Sequence, residues 1–195
     1  FTSAGGRIDF NSNYSTTQMP RLALIFKPKQ QVIKILFSRG YLAPSISQNR
    51  FESITKFSWI KPNENLKPEK ITSCEVDWAG RFSNFQFFGG LFANKIRDGI
   101  QESIQTDDSA PVQVADITFY VPVLQSANGR QGYRYGVHLG ASSVINKYFS
   151  FSVDYSWLAG HDKIDSLKIP LNENLVSSHV IKGNLQFNYG NYSLY

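Results

Sequence analysis

Few side chains in this sequence could do chemistry together, and the most suggestive two are His138 and Asp154. An imidazole and a carboxylate can exchange a proton or supply half of a metal site. Both stand among polar residues that alternate with apolar ones, and a three-residue turn at Ile145-Asn146-Lys147 would set them directly opposite each other. With Arg134 they read more simply as a polar hydrogen-bonded network. His161 and Asp162 open a polar stretch and could touch a ligand or only water, whereas His179 begins a strand and reads as structural. Three scattered His and the single Cys74 make no spaced ligand set, so neither a metal nor a cofactor is expected. The acidic pair Asp107-Asp108 falls short of a calcium loop. No Gly-x-Ser-x-Gly, phosphate loop or Cys with a nearby base occurs, so the chain does not read as an enzyme.

The elements that carry these residues are strands. Phe149, Phe151, Val153, Tyr155 and Trp157 alternate with Ser150, Ser152, Asp154 and Ser156. Tyr133, Tyr135, Val137, Leu139 and Ala141 alternate with Arg134, Gly136, His138, Gly140 and Ser142, and Ile181, Leu185, Phe187 and Tyr189 oppose Lys182, Asn184, Gln186 and Asn188. Further strands read as Leu22-Leu24-Phe26, Ile33-Ile35-Phe37, Cys74-Val76-Trp78 and the run 85–96. Tight connections at 27–30, 83–84, 145–147 and around Gly190 alternate with long polar stretches at 43–67, 101–131 and 160–178. Short turns at one end and long loops at the other are the pattern of an antiparallel transmembrane β-barrel, here with about eight spanning strands of roughly ten residues.

Two readings follow from that pattern. Counting 117–123 as its own spanning strand would move the loop 160–178 to the short-turn side. It is therefore kept in the outer loop, or as the outer top of the strand containing Tyr133, with Pro122 at a poorly paired edge position. A two-residue turn Ser83-Asn84 pairs Phe82 with Phe85, Gly80 with Phe87 and Trp78 with Gly89, so that Trp78 covers a glycine. Cys74 shares a face with Val76 and Trp78 and is expected to point outward against lipid.

Composition agrees. The chain of 195 residues is 42% hydrophobic and 14% aromatic, which excludes disorder, and no run reaches the roughly 18 apolar residues of a membrane helix. The net charge is +5, but its 20 cations are spread singly, which argues against nucleic acid as a partner. Residues 1–10 lack the basic start and apolar run of a signal peptide, and 191–195 read as a strand just begun. The expectation is a piece of something longer.

Certain motifs add a resemblance. Met19-Pro20-Arg21-Leu22-Ala23-Leu24, Phe37-Ser38-Arg39-Gly40-Tyr41-Leu42-Ala43-Pro44-Ser45 and Asn65-Leu66-Lys67-Pro68-Glu69-Lys70 follow in the order seen in the barrel of TonB-dependent outer-membrane receptors. Ala93-Asn94-Lys95-Ile96-Arg97-Asp98-Gly99-Ile100, Asn128-Gly129 through Gly136-Val137-His138, and Ser178-His179-Val180-Ile181-Lys182-Gly183 resemble later strands of that family. His138 stands where Glu is usual and Ser178 where Pro is common. Pro20, Arg21, Arg39, Pro44, Lys67, Pro68 and Glu69 are the motif residues, with structural roles. The resemblance implies a barrel of roughly 22 strands around a plug in the outer membrane of a Gram-negative bacterium. It also implies energy-coupled uptake of a scarce ligand such as a siderophore, cobalamin or oligosaccharide. Implied partners are outer-membrane lipid, a small-molecule or metal-chelate ligand, and an inner-membrane coupling protein acting through the plug. Residues 1–195 would be one partial barrel domain, without plug or coupling segment. Tyr195 suits a final barrel strand but Ser193 and Asn191 do not, so an interior piece is expected.

In such a barrel, Tyr41, Tyr155 and Trp157 at strand ends suit the interfacial girdle, with Phe51 and Phe57 as further aromatics. Trp59 lies within the long stretch 43–67, where no girdle is expected, and is the candidate ligand or loop-packing contact. Arg39 and Arg50 flank that loop and could attract an anionic chelate, with His161 as a further contact. Two rivals remain: a complete small outer-membrane barrel with a structural or adhesive role, and a secreted carbohydrate-binding β-sandwich. The sandwich requires Phe151, Tyr155 and Trp157 to be buried.

Overall fold

The computed structural model describes residues 1–11, 16–164, 167–171, 177–189 and 192–194, of which 102–107, 189 and 192–194 are described as backbone only. The expected turn around Gly190 and the terminal Tyr195 lie outside the described residues, as does the Asp107 side chain. In chain order the elements are β1 (Thr2–Asp9), β2 (Thr17–Phe26), β3 (Gln31–Leu42), α1 (Ile46–Arg50), β4 (Ser53–Ile54), β5 (Trp59–Lys61) and β6 (Glu69–Phe82). They continue with β7 (Phe85–Val114), β8 (Ile117–Val144), β9 (Phe149–Ile164), β10 (Leu167–Pro170), β11 (His179–Tyr189) and β12 (Tyr192–Leu194).

One sheet holds all twelve strands, in the order β1-β2-β3-β6-β7-β8-β9-β11-β12, with β4, β5 and β10 off this path. Apart from the parallel pair β5–β8, the pairs are antiparallel. Eight of the path strands have 8 residues or more, in agreement with the expected number. The sheet does not close on itself.

Register gathers the apolar positions into rows across the sheet. Ile33, Trp78, Gly89, Leu139, Tyr155 and Ile181 are consecutive partners, as are Ile35, Val76, Leu91, Val137 and Trp157. Cys74 stands in the row of Phe37 and Ala93, exposed as expected. Among the described residues no second layer covers this face: Leu139 is 53% exposed and Ile181 73%. The buried apolar side chains lie elsewhere, at Leu66, Ile100, Ala110, Val112, Val121, Val123 and Leu171, all toward the long-loop end. A sheet with no core of its own across the band from Phe85 to Ala93 on β7 has the form of a barrel wall whose apolar face lipid would satisfy.

The Ser83-Asn84 turn has the expected register, with Ser83 at φ 54°. The glycine that Trp78 covers is a different one. A Cβ on Gly80 would meet Trp78 Cζ2 at 2.8 Å, whereas at Gly89 it would meet Leu139. Strand side chains lean along the strand, and the lean carries the indole toward Gly80, where its Nε1 donates to Gln31 Oε1 at 3.0 Å.

Three other expectations are corrected. Stretch 101–131 is no loop but the tall arm of the β7–β8 hairpin, turning at Ala115-Asp116, where Ala115 takes φ 53°. Residues 117–123 form the top of β8, as the second reading held, but Pro122 is not at an edge, because β7 pairs it on one side and β5 begins beside Val123 on the other. It follows a register shift between Gln105 and Ser109. The third concerns the turn after β8, which sits one residue further on than expected: Val144 pairs with Ser150 and the Ile145 amide donates to the Phe149 carbonyl at 3.0 Å, so the three-residue loop is 146–148 rather than 145–147. Asn146 Oδ1 accepts from the Tyr148 and Phe149 amides at 2.8 and 3.0 Å, a side-chain turn that centres the loop on Lys147. His138 therefore faces Ser156, and Asp154 faces Gly140.

The lipid assignment predicts a depth-dependent penalty. In the full-length protein folded into vesicles, Val153→Lys should cost about 2–4 kcal/mol, whereas Ser152→Lys, one residue away on the polar face, should cost little. Equilibrium urea unfolding measures both, and equal penalties would reject the assignment of faces.

Candidate functional site

The opposite face collects the polar residues. Lys34, Asp77, Gly90, His138 and Ser156 form one row, and Arg81, Gln86, Ser142, Ser152 and Asn184 another. His138 reaches past the middle strand rather than along its own hairpin: its Nε2 lies 3.4 Å from Asp77 Oδ1, two strands away. Gly90 makes this possible, since a Cβ there would collide with Asp77 Oδ1 and the His138 ring. A cavity of about 230 Å³ opens here, bounded by Lys34, Glu75, Asp77, Phe88 and His138. A second of about 320 Å³, nearer the short turns, is lined by amides and hydroxyls including Gln86, Ser142, Ser152 and Asn184. Asp154 stands opposite Lys182 in the β9–β11 ladder, so the expected His138–Asp154 pair is not formed and His138 meets Asp77 instead.

Arg134 has the partner that the sequence reading missed. Its Nη2 donates to Asp162 Oδ1 at 2.7 Å and its Nη1 to the Tyr133 and His161 carbonyls at 3.0 Å. The two side chains are only 20% and 10% exposed. A partly dry, charge-assisted bond of this kind fixes geometry well and is costly to break one-sidedly.

Above the polar face, stretch 43–67 is a folded roof. Ser45 and Gln48 form a reciprocal cap at the start of α1, and Arg50 ends that helix. Strand β5 lies parallel to β8 at Val123, Asn63 Nδ2 donates to the Ser126 carbonyl at 2.8 Å, and Gln125 Nε2 donates to the Pro62 carbonyl at 2.8 Å. Asn128 is the latch. Its Oδ1 accepts from the Lys67 amide at 2.7 Å, and its Nδ2 donates to the Lys67 and Asp98 carbonyls at 2.9 and 2.6 Å. Pro68 is fully buried, and Glu69 Oε1 accepts from the Ile100 amide at 2.6 Å. Lys67, Pro68 and Glu69 thus weld the roof to the arm through backbone groups and burial. Pro20 and Arg21 lie in the β2 ladders, and Pro44 sits half-buried between β3 and α1.

The four ligand candidates are not brought together. Trp59 packs within the roof: its Nε1 donates to Glu52 Oε1 at 2.6 Å and Lys61 Nζ lies 4.8 Å from the ring centre. Arg50 stands on the same roof, exposed. Arg39 instead joins the row of Thr72 and Lys95, on the face of Ile35 and Phe37, and His161 stacks on Tyr133 in that row at 5.0 Å between centroids. His161 lies beyond the apolar band, and its pKa is held below the usual histidine value by burial first, then by Lys168 and Arg134, with Asp162 opposing. At the long-loop end of β1, Arg7 and the Tyr41 hydroxyl hold the Asp9 carboxylate below its usual range. Tyr155 Oη lies 2.9 Å from His179 Nδ1.

Among the described residues no three His, Cys, Asp or Glu converge to hold a metal ion. What the arrangement can do is hold and orient: a polar wall below, and a cationic, aromatic roof above. Asp77 and Asn128 were not singled out as site residues from sequence, whereas Asp162 was, beside His161, as a contact of ligand or water. Of the first two only Asn128 had a signal there, its place in a motif.

The sequence matches the family described as TonB dependent receptor-like, beta-barrel, over residues 2–194. No curated protein matches it. Among solved structures, the siderophore receptor PirA from Acinetobacter baumannii superposes with a TM-score of 0.77 at 15% identity, covering 97% of this chain and 29% of that one. A mutant of the ferric enterobactin receptor PfeA from Pseudomonas aeruginosa, in complex with enterobactin, gives 0.74 at 14% identity, covering 97% and 28%. The FrpB iron transporter from Neisseria meningitidis gives 0.66 at 15%, covering 91% and 25%. The chain thus spans under a third of each of these relatives.

The latch is testable. Asn128→Ala removes three bonds to backbone groups that are partly solvated, so the expected loss is about 1–3 kcal/mol, with faster amide exchange across 63–69. Hydrogen exchange read by mass spectrometry on the full-length protein measures it. Unchanged protection at Lys67 would mean that Asn128 is not the latch and that the roof is held by the β5–β8 pairing, the Asn63, Gln125 and Glu69 bonds and the burial of Pro68.

Proposed function

Since this chain belongs to the TonB-dependent receptor-like β-barrel family, we propose that it forms part of the barrel of an outer-membrane receptor. That receptor binds a scarce ligand outside the cell and admits it along the polar face. On this reading residues 1–195 are one partial barrel domain, the plug belongs to another part of the protein, and a coupling protein in the inner membrane supplies energy through the plug. The observation that carries the reading is the division of the sheet: an uncovered apolar face, a polar face behind it, and a folded roof at one end only. A soluble sandwich would bury Phe151, Tyr155 and Trp157; all three are partly exposed, and Leu139 and Ile181, in the row of Tyr155, stand open.

For the ligand, an anionic ferric chelate suits the roof best. Lys61 lies over Trp59 and Lys56 over Phe57, at 4.8 and 4.9 Å, and Arg50 is near in sequence. Cations set on aromatic faces suit flat, negatively charged groups. The solved relatives named as siderophore and ferric enterobactin receptors support this choice. Trp59 and Arg50 are the residues assigned to it.

Tryptophan fluorescence of the purified full-length protein, titrated with a ferric catecholate, a ferric hydroxamate, cobalamin and a maltooligosaccharide, tests the proposal. A ferric chelate should bind, and Trp59→Ala and Arg50→Ala should each weaken it roughly tenfold. Binding of cobalamin or the oligosaccharide alone would overturn the chelate assignment and keep the receptor.

A further inference from the structure

The apolar rows end abruptly. Two residues beyond Phe37, Cys74, Ala93 and Tyr135 on the same face, the next row reads Arg39, Thr72, Lys95, Tyr133, His161. Lys95 Nζ lies 5.1 Å from the centre of the Tyr133 ring, which stacks on His161. One row further, Tyr41 pairs with Lys70, Lys70 with Arg97, Gln131 with Lys163, and Lys163 with Lys168. Two of these are cation–cation pairs directly across a ladder, Lys70 with Arg97 and Lys163 with Lys168, an arrangement that destabilises a sheet unless something offsets it. Among the described residues, Lys70 is the only one of the six cations with an acidic partner, Asp98 at 3.8 Å. The nearby Asp162 is engaged by Arg134, and Glu69 by the Ile100 amide.

The geometry points to a binding surface on the outside of the barrel: Arg39, Lys70, Lys95, Arg97, Lys163 and Lys168 hold the phosphorylated headgroups of membrane lipids at the long-loop rim. The position decides the partner. The band below these rows is nine residues tall, from Phe85 to Ala93 on β7, close to the hydrocarbon thickness that a tilted strand crosses. Cations just above it stand at headgroup depth, where Tyr133 also belongs as an amphipathic ring. A soluble anion would need a pocket to hold it, whereas a lipid phosphate is held there already by its own tails. This inference rests on the outer-membrane reading for the depth at which the rows lie, and it concerns neither the polar face nor the roof.

Native mass spectrometry of the full-length protein, released from mixed micelles of phosphatidic acid and phosphatidylcholine, tests it. Phosphatidic acid should remain bound at least about fivefold in preference, the ratio expected of one Lys or Arg at a membrane surface. The ratio should fall toward one in K95Q/R97Q/K163Q/K168Q. The pair K163Q/K168Q alone, at exposed positions, should lower it in part and serves if the fourfold variant does not fold. Equal retention of the two lipids by the wild type, or no change in the variants, overturns the surface. So does displacement of the lipid by millimolar inorganic phosphate, which would make this a site for free anions. Flotation with vesicles separates the two readings. A wild type that does not float fails as a membrane barrel, whereas one that floats but shows no lipid preference fails only here.

Discussion

On the proposed reading, backbone amides and carbonyls lie inside a lipid layer with no water to bond, and the rest of the fold follows from that. Only a ladder that pairs each strand with a neighbour satisfies them, so the membrane part must be sheet. Within a sheet, successive side chains take opposite faces. Lipid on one face and polar contents on the other then force a period-2 sequence, and force each strand to share register with the next. The rows through Trp78, Gly89, Leu139 and Tyr155, and through Asp77, Gly90 and His138, are two expressions of one constraint.

The same constraint explains where rigidity is found. In the membrane band, packing is lateral and shallow, with aromatic rings lying over glycines. At the long-loop end, where water returns, stability comes from burial of Val121, Val123, Leu66 and Pro68 and from Asn128 bridging Lys67 and Asp98. The family motif residues Lys67, Pro68 and Glu69 are thus fold residues of the roof.

The sequence was legible where alternation rules. The short-and-long rhythm, the Ser83-Asn84 register and the place of 117–123 atop β8 follow from parity, because a one-residue error would turn Phe85 and Phe87 to the wrong face. A two-residue error changes no face, and that is the register error made at the turn after β8: parity cannot see a three-residue loop centred on Lys147 rather than Asn146. His138 lost its expected partner for that reason, and found Asp77 because Gly90 leaves room across a strand, a relation between residues 48 and 61 positions apart that no local pattern reports. The arm formed by 101–131 was hidden because it stands above the apolar band, where strict alternation lapses. Register shifts between Ile96 and Ser109 blur it further.

The central claim is that one face of this sheet meets lipid and the other does not, and site-directed spin labelling along β9 tests it most directly. Single nitroxides are placed at each position from Phe149 to Trp157 of the full-length protein in vesicles. Their collision rates with oxygen and with a water-soluble nickel chelate are then compared. The account predicts a two-residue oscillation, with oxygen favoured at 151, 153, 155 and 157 and the chelate at 150, 152, 154 and 156. A flat profile, or one with the phases reversed, would contradict it.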